Sequence, residues 1–188
     1  MVPDITNPRY SYGGGKIFCE LMAMNYGRTG FGRVTIFRPH NVYGPDMGWE
    51  HVIPQFALRA KELTACKSDA VKFPIKGDGR QTRAFVHIDD FTEGLMQVID
   101  KGKHLEVYHI GTTEEVTVAE LARQVVACFG IDVEIVLGEA PAGETKRRCP
   151  DITKLVELGY TQRISLSKGL HSTVAWYAEN SHLNPHII

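Results

Sequence analysis

Apolar residues recur at helical spacing from Tyr12 to Arg28, with Ile17, Leu21 and Met24 on one stripe and Phe18 beside them. The run Gly27-Arg28-Thr29-Gly30-Phe31-Gly32 ends that helix, and the β-branched apolar stretch 33–38 predicts a buried strand. Residues 39–49 hold two prolines, two glycines, Asn41 and Asp46 and read as a loop. His51 to Cys66 returns to helical periodicity, with Pro54 tolerable in its first turn. Strands follow at 72–75 and 84–88 around the turn Gly77-Asp78-Gly79, which reads as a hairpin. Asp89 or Asp90 caps a helix over 91–99, and 106–110 is a strand. Thr117 caps the next helix, with Glu120 in the capping-box position, and this helix runs to Phe129. A strand at 133–137 and a short helix from Asp151 toward Leu158 come next. A last helix starts at Ser165 or Ser167 and passes through Trp176 and Tyr177, and the polar tail from Asn180 is expected to fray.

Helices and strands therefore alternate, which sets the class as α/β or α+β. One strong early strand flanked by helices cannot by itself make a doubly wound core. The 188 residues, 43% hydrophobic and 23% charged, have ordinary globular composition. A net charge of −1 gives no electrostatic reason for nucleic-acid or anionic-membrane binding. No apolar run approaches the ~20 residues of a membrane span, and the N-terminus lacks a signal-peptide pattern. Cys19, Cys66, Cys128 and Cys149 are far apart, as expected of reduced thiols in a cytoplasmic protein. The eight histidines show no H-x-x-x-H pair, so no metal site is expected. Gly27, Gly30 and Gly32 follow a helix and precede a strand, the wrong order for a helix N-terminus to receive a pyrophosphate.

The candidate chemistry lies in Tyr10-Ser11-Tyr12-Gly13-Gly14-Gly15-Lys16. Tyr12 and Lys16 are i and i+4, hence neighbours on one helical face. An ammonium beside a phenol favours the phenolate and makes the tyrosine a usable proton acceptor or donor. Each intervening glycine costs up to ~1 kcal/mol of helix stability against alanine. In return the surface is free of side chains, so flat ligand rings can approach the backbone. Tyr-x-x-x-Lys also arises by chance in many helices, so this spacing alone leaves an ordinary helix open.

Further motifs follow in order: Arg38-Pro39-His40-Asn41-Val42-Tyr43-Gly44-Pro45, then Val52-Ile53-Pro54, then residues 77–90 (Gly-Asp-Gly-Arg-Gln-Thr-Arg-Ala-Phe-Val-His-Ile-Asp-Asp). Tyr108-His109-Ile110-Gly111 and Arg148-Cys149-Pro150-Asp151 complete the series. Together with the tyrosine segment, this order resembles the C-terminal part of an extended short-chain dehydrogenase/reductase of the nucleotide-sugar epimerase/dehydratase group. The resemblance covers residues 8–178. It implies that Tyr12 is the catalytic tyrosine, exchanging a proton with a sugar hydroxyl, and that Lys16 holds the nicotinamide ribose of NAD, with NADP not excluded. Pro39, His40, Asn41 and Val42 would lie against the nicotinamide, with Asn41 also reaching the substrate diphosphate. Val52 and Ile53 would start the helix near the nucleotide, Phe73 and Ile75 would line the base pocket, and Arg83 and Arg148 would clamp the diphosphate.

Plainer roles stand beside these. Arg83 fits a solvated strand face, and Arg148 fits a solvated basic run, Lys146-Arg147-Arg148, whose register is open by one. Asn41 fits a turn, Met22 and Met24 fit a core, and His87 with Asp89 fits a strand-end hydrogen bond and a helix cap. Gly15 stands where the family commonly has Ser or Thr. The family's glycine-rich loop and most of its parallel sheet would precede Met1.

The expectation is thus an α/β chain, the C-terminal portion of a Rossmann-type enzyme without its dinucleotide-binding sheet. Residues 1–50 would carry the catalytic helix and the end of the Rossmann-like part. Residues 51–180 would be mainly a small α/β substrate-binding domain with returning core elements, and 181–188 a tail. The function implied is part of an NAD(P)-dependent nucleotide-sugar epimerase or dehydratase, with these 188 residues alone giving little turnover. The alternative is a non-catalytic nucleotide-sugar-binding or assembly module. The partners implied are a nucleotide-diphosphate sugar and a second copy through the Tyr12–Lys16 helix, with neither nucleic acid nor membrane.

Overall fold

A computed structural model describes residues 6, 9–65, 70–139 and 145–185. The first helix, α1, spans Arg9–Gly30, and β1 follows at Thr35–Pro39. The expected loop contains a two-residue strand, β2 (Val42–Tyr43), before α2 (Val52–Thr64). Cys66, the expected end of that helix, lies outside the described residues. β3 covers Ala70–Ile75, β4 Thr82–Ala84 and β5 Val86–His87. Then come α3 (Ile88–Lys101), β6 (Glu106–Ile110), β7 (Glu115–Thr117) and α4 (Val118–Ala127). β8 (Asp132–Leu137), β9 (Arg147–Arg148), α5 (Thr153–Glu157) and α6 (Leu166–Glu179) complete the order.

Pairing is mostly parallel: β1 with β6, β2 with β5, β3 with β8, and β4 with β9, while β4 and β7 run antiparallel. The expected hairpin at Gly77-Asp78-Gly79 does not form. β3 pairs with β8 instead, and β4 joins a different sheet. Gly77 (φ 76°) and Gly79 (φ 69°) use left-handed backbone to turn the chain from one sheet to the other. Gly77 N–H donates to Glu139 O and Gly79 O accepts from Ala119 N–H, so the turn is held by neighbouring elements rather than by a strand pair.

Two apolar clusters organise the body. In the larger, β3 turns Val71, Phe73 and Ile75 inward at alternate positions. The faces Ile53, Phe56, Ala57, Ala60 of α2, Leu121, Ala122, Val125, Val126 of α4, and Leu166, Leu170, Val174, Tyr177 of α6 close over them. Burying each of the larger side chains contributes about 1.5–3 kcal/mol. The smaller cluster joins Val98 of α3, Tyr108 and Ile110 of β6, Leu155 of α5 and Tyr160.

The caps follow the sequence in part. Thr117 Oγ1 accepts from Glu120 N–H at 3.1 Å, and Ser165 Oγ accepts from Lys168 N–H at 3.4 Å. α3 is capped neither by Asp89 nor by Asp90. His87 is its N-cap, its Nδ1 accepting from Asp89 N–H at 3.3 Å, because α3 begins three residues earlier than the periodicity predicts. Asp90 is buried and accepts the backbone N–H groups of Arg163 and Ile164, which binds α3 to the segment entering α6. The tail is ordered through Leu183 in a 3-10 turn, Ser181–Leu183, where Lys61 Nζ donates to Ala178 O and Ser181 Oγ, 2.7 Å each.

α1 is distinct from the rest. Ile17, Phe18, Leu21 and Tyr26 are exposed, and Met22, expected in a core, is 38% exposed. The helix meets the body at Glu20, which pairs with Arg38, and at Gly27, where a Cβ would stand 2.7 Å from Leu105 Cδ2. An apolar surface on several sides marks a helix built to be covered. No helix among the described residues is long and apolar enough to cross a membrane.

Candidate active site

Tyr12 and Lys16 lie on the same side of α1, with Lys16 Nζ 5.4 Å from the centre of the Tyr12 ring. That is cation–π range, so the ammonium sits by the face of the phenol. Tyr12 is 77% exposed. The helix runs unbroken through Gly13, Gly14 and Gly15, and a Cβ at any of the three would meet no heavy atom within 4 Å. Among the described residues, the surface next to the pair is thus bare of packed side chains at these three positions.

Beyond β1 the chain forms a cavity of about 400 Å³ lined by Pro39, Asn41, Val42, Met47, His51, Val52, Ile53, Phe85 and Arg148. Six of the expected site residues thus converge from the β1–β2 turn, the start of α2 and β9. Asn41 adopts φ 41°, a left-handed conformation that asparagine tolerates, and its Nδ2 donates to Ala84 O at 2.9 Å. The basic run resolves by pairing. Arg147 binds Glu115 through Nε at 3.1 Å and a terminal nitrogen at 2.5 Å, and its guanidinium holds the Glu115 carboxyl below the usual carboxylate range. Arg148 is the one that enters the cavity wall.

A second cavity of about 210 Å³ shares Val52 and Phe85 with the first and adds Gln55, Phe56, Arg59, Lys76, Arg83 and Val118. Arg83 and Arg148 are register partners on adjacent strands, so two guanidinium-bearing positions stand side by side. Like charges directly opposite each other oppose pairing.

Neither Phe73 nor Ile75 lines these cavities. Both are inward positions of β3, 0% and 3% exposed, and Phe73 packs edge-on against Phe56. These two residues, expected to line a base pocket, lie on the strand's inward face within the larger apolar cluster. Arg59 covers Phe73 from outside, 5.4 Å from its ring centre, and donates to Pro74 O. The His40 ring is likewise absent from the cavity wall and turns to His109 on β6. Tyr12 and Lys16 stand together, but α1 contributes no lining residue to either cavity.

The sequence left His51, Met47, Phe85, Arg59 and Lys76 unassigned. His51 immediately precedes the Val52-Ile53-Pro54 motif, so for it adjacency to assigned residues was the available signal; Arg59 had none. Lys76 and Phe85 flank strands whose partners are distant in sequence. The described residues hold no group of three or more His, Cys, Asp or Glu able to bind a metal ion.

Residues 2–111 match the NAD dependent epimerase/dehydratase family. A trifunctional UDP-glucose 4,6-dehydratase/UDP-4-keto-6-deoxy-D-glucose 3,5-epimerase/UDP-4-keto-L-rhamnose-reductase of Arabidopsis thaliana is 35% identical over 177 residues, covering 93% of this chain and 25% of that protein. Among solved structures, the dTDP-glucose 4,6-dehydratase DesIV of Streptomyces venezuelae, with NAD bound, superposes with a TM-score of 0.75 and 34% identity, over 93% of this chain and 52% of its own. UDP-glucose 4-epimerase of Thermotoga maritima, with UDP-glucose, gives 0.79 and 29%, over 90% and 54%. The chain therefore spans about half the length of these structures and a quarter of the plant enzyme. With more than half its length matched in sequence and its α/β fold shared with both enzymes, the chain belongs to the NAD dependent epimerase/dehydratase family.

Proposed function

We propose that this chain supplies the proton-transfer pair and the nucleotide-sugar diphosphate site of an NAD(P)-dependent epimerase or dehydratase, an isomerase or lyase acting on a nucleotide-diphosphate sugar. The observation that carries the reading is the Lys16 ammonium 5.4 Å from the Tyr12 ring centre beside three bare glycines. Tyr12 Oη takes the proton of a sugar hydroxyl and returns it, and Lys16 hydrogen-bonds the nicotinamide ribose. NAD or NADP, when bound, accepts and returns hydride. Pro39 and Val42 form an apolar wall, Asn41 orients the substrate, and Arg148 and Arg83 take the diphosphate from neighbouring strands.

The exposed apolar side chains of α1 support a second copy docking on this helix. The free thiols of Cys19, Cys128 and Cys149 suit a reducing cytoplasm.

Calorimetric titration of the full chain with UDP and dTDP, with a turnover assay on UDP-, GDP- and dTDP-glucose plus NAD, tests the reading. We expect saturable nucleotide binding, weakened at least about tenfold in Arg148→Ala by loss of a charged hydrogen bond, and little turnover by these 188 residues alone. Binding indifferent to Arg148→Ala would overturn the diphosphate site. Robust catalysis unaffected by Tyr12→Phe would overturn the proton-transfer role.

A further inference from the structure

His40 and His109 meet with Nε2 and Nδ1 2.7 Å apart and ring centres separated by 4.9 Å. His40 follows directly on β1, and its backbone N–H donates to Ile110 O at 3.0 Å. Gly111 makes the approach possible: a Cβ there would stand 3.1 Å from His40 Cβ and 2.9 Å from Pro150 Cγ. Two nitrogens this close share one hydrogen, so one ring donates and the other accepts, the direction being set by which of the two facing nitrogens carries the hydrogen. A neutral pair satisfies this. A pair carrying one extra proton satisfies it better, because the bond becomes charge-assisted. A pair carrying two extra protons presents two donors to each other and no acceptor.

The charged groups facing the pair are mixed. Arg38 on β1 and Lys154 on α5 oppose added positive charge, while Glu20 on α1 and Asp151 before α5 favour it. Burial pushes both imidazoles below their ordinary value, and for His40 the neighbouring His109 and Arg38 act in the same direction. The pair therefore stays neutral at physiological pH.

His40 sits between Pro39 and Asn41, both of which line the 400 Å³ cavity, while its own ring points away from it. Asn41 holds a left-handed backbone, a conformation that asparagine tolerates, directly after His40. We propose that His109 is a positioning residue: through the shared proton it anchors His40, and so fixes the turn that presents Pro39, Asn41 and Val42 to the cavity, and a second proton on the pair releases that turn. What the cavity binds rests on the function proposed above, but the anchoring does not.

Ring-nitrogen NMR of the full chain across the acid range tests this without any nucleotide, so it succeeds or fails independently of the nucleotide-sugar reading. The two rings are expected to titrate as a coupled pair in two steps separated by at least about one pH unit. The amide resonances of Asn41 and Val42 hold through the first step and shift with the second. In His109→Asn the side-chain oxygen replaces the Nδ1 acceptor, so those amides stay in place at neutral pH and the second step disappears. His109→Leu shifts them at neutral pH. Two independent single-step titrations, or Asn41 and Val42 amides indifferent to His109→Leu, overturn the proposal. If the leucine variant does not fold, the titration of the unaltered chain decides alone.

Discussion

Arg38 grips Glu20 at two points: Nε lies 2.8 Å from Oε1 and a terminal nitrogen 2.6 Å from Oε2. Glu20 is one helical turn beyond Lys16 and two beyond Tyr12, and Arg38 immediately precedes Pro39 of the cavity wall. The fork geometry thus sets the rotation of α1 against the strand that leads into the cavity. The same hydrogen bonds hold the Glu20 carboxyl below its ordinary value.

Glu20→Gln should loosen α1 by about 1 kcal/mol or less, since the Arg38 side chain is 46% exposed and solvent screens the pair. A depressed carboxylate contributes at neutral pH and loses its contribution as pH falls through its folded-state value. Amide exchange over the second half of α1 should therefore accelerate on acidification in the unaltered chain. In the variant it should start fast and change little. Equal protection in both would remove the pair's role.

Gly14→Ala should stabilise α1. The added Cβ meets nothing within 4 Å, and alanine is favoured over glycine by up to about 1 kcal/mol in a helix. Slower amide exchange of α1 is the expected reading, and faster exchange would count against an unstrained helix there.

Gly169→Ala should do the opposite, although it too lies in a helix. Its Cβ would collide with the Tyr43 hydroxyl and stand 2.9 Å from His87 Cδ2 inside the core. Overpacking of this kind costs about 1–3 kcal/mol. At roughly 2–4 °C per kcal/mol for a chain of this size, calorimetry should find a clearly lowered Tm.

Thr117→Ala removes the hydroxyl that accepts from Glu120 N–H and should cost about 1 kcal/mol in urea unfolding. Thr117→Ser should restore most of the loss.

Tyr160 and Tyr177 contribute to the alkaline limit, beside Tyr43, whose buried phenol is raised further. Burial pushes the phenols of Tyr160 and Tyr177 up to about 12, so the folded chain keeps protons that the unfolded chain loses near 10. The stability they contribute is full below 10 and disappears as pH rises toward 12. Circular dichroism against pH should show unfolding in that window, and replacing both with Phe should move it upward. An unmoved transition would show that other groups govern it.

What could be read from the sequence depended on how far apart the interacting residues were. The strand at 106–110, the Thr117 cap and the Tyr12–Lys16 adjacency rest on neighbours within a helical turn or a short strand, and each matches the structure. The hairpin at 77–79 failed because the true partner of β3 is β8, which no local signal announces. β7 and β9 escaped notice because strands of three and two residues exist only through pairing with β4. His87 reads from the sequence as a strand-end hydrogen bond with the cap given to an aspartate, because histidine is an uncommon acceptor at the N-cap. Phe73 and Ile75, which the resemblance implies line a base pocket, stand at alternate inward positions of β3, the pattern of a core-facing strand.

The parallel pairing of β1 with β6 also bears on how the chain comes to be folded. Thr35 must wait for Glu106, roughly 70 residues downstream, before this pair can close. β3 waits almost as long for β8. Such distant closures slow folding and leave apolar strands unpaired in the meantime. During synthesis on the ribosome, β1 and β3 therefore emerge well before β6 and β8, the partners they pair with here.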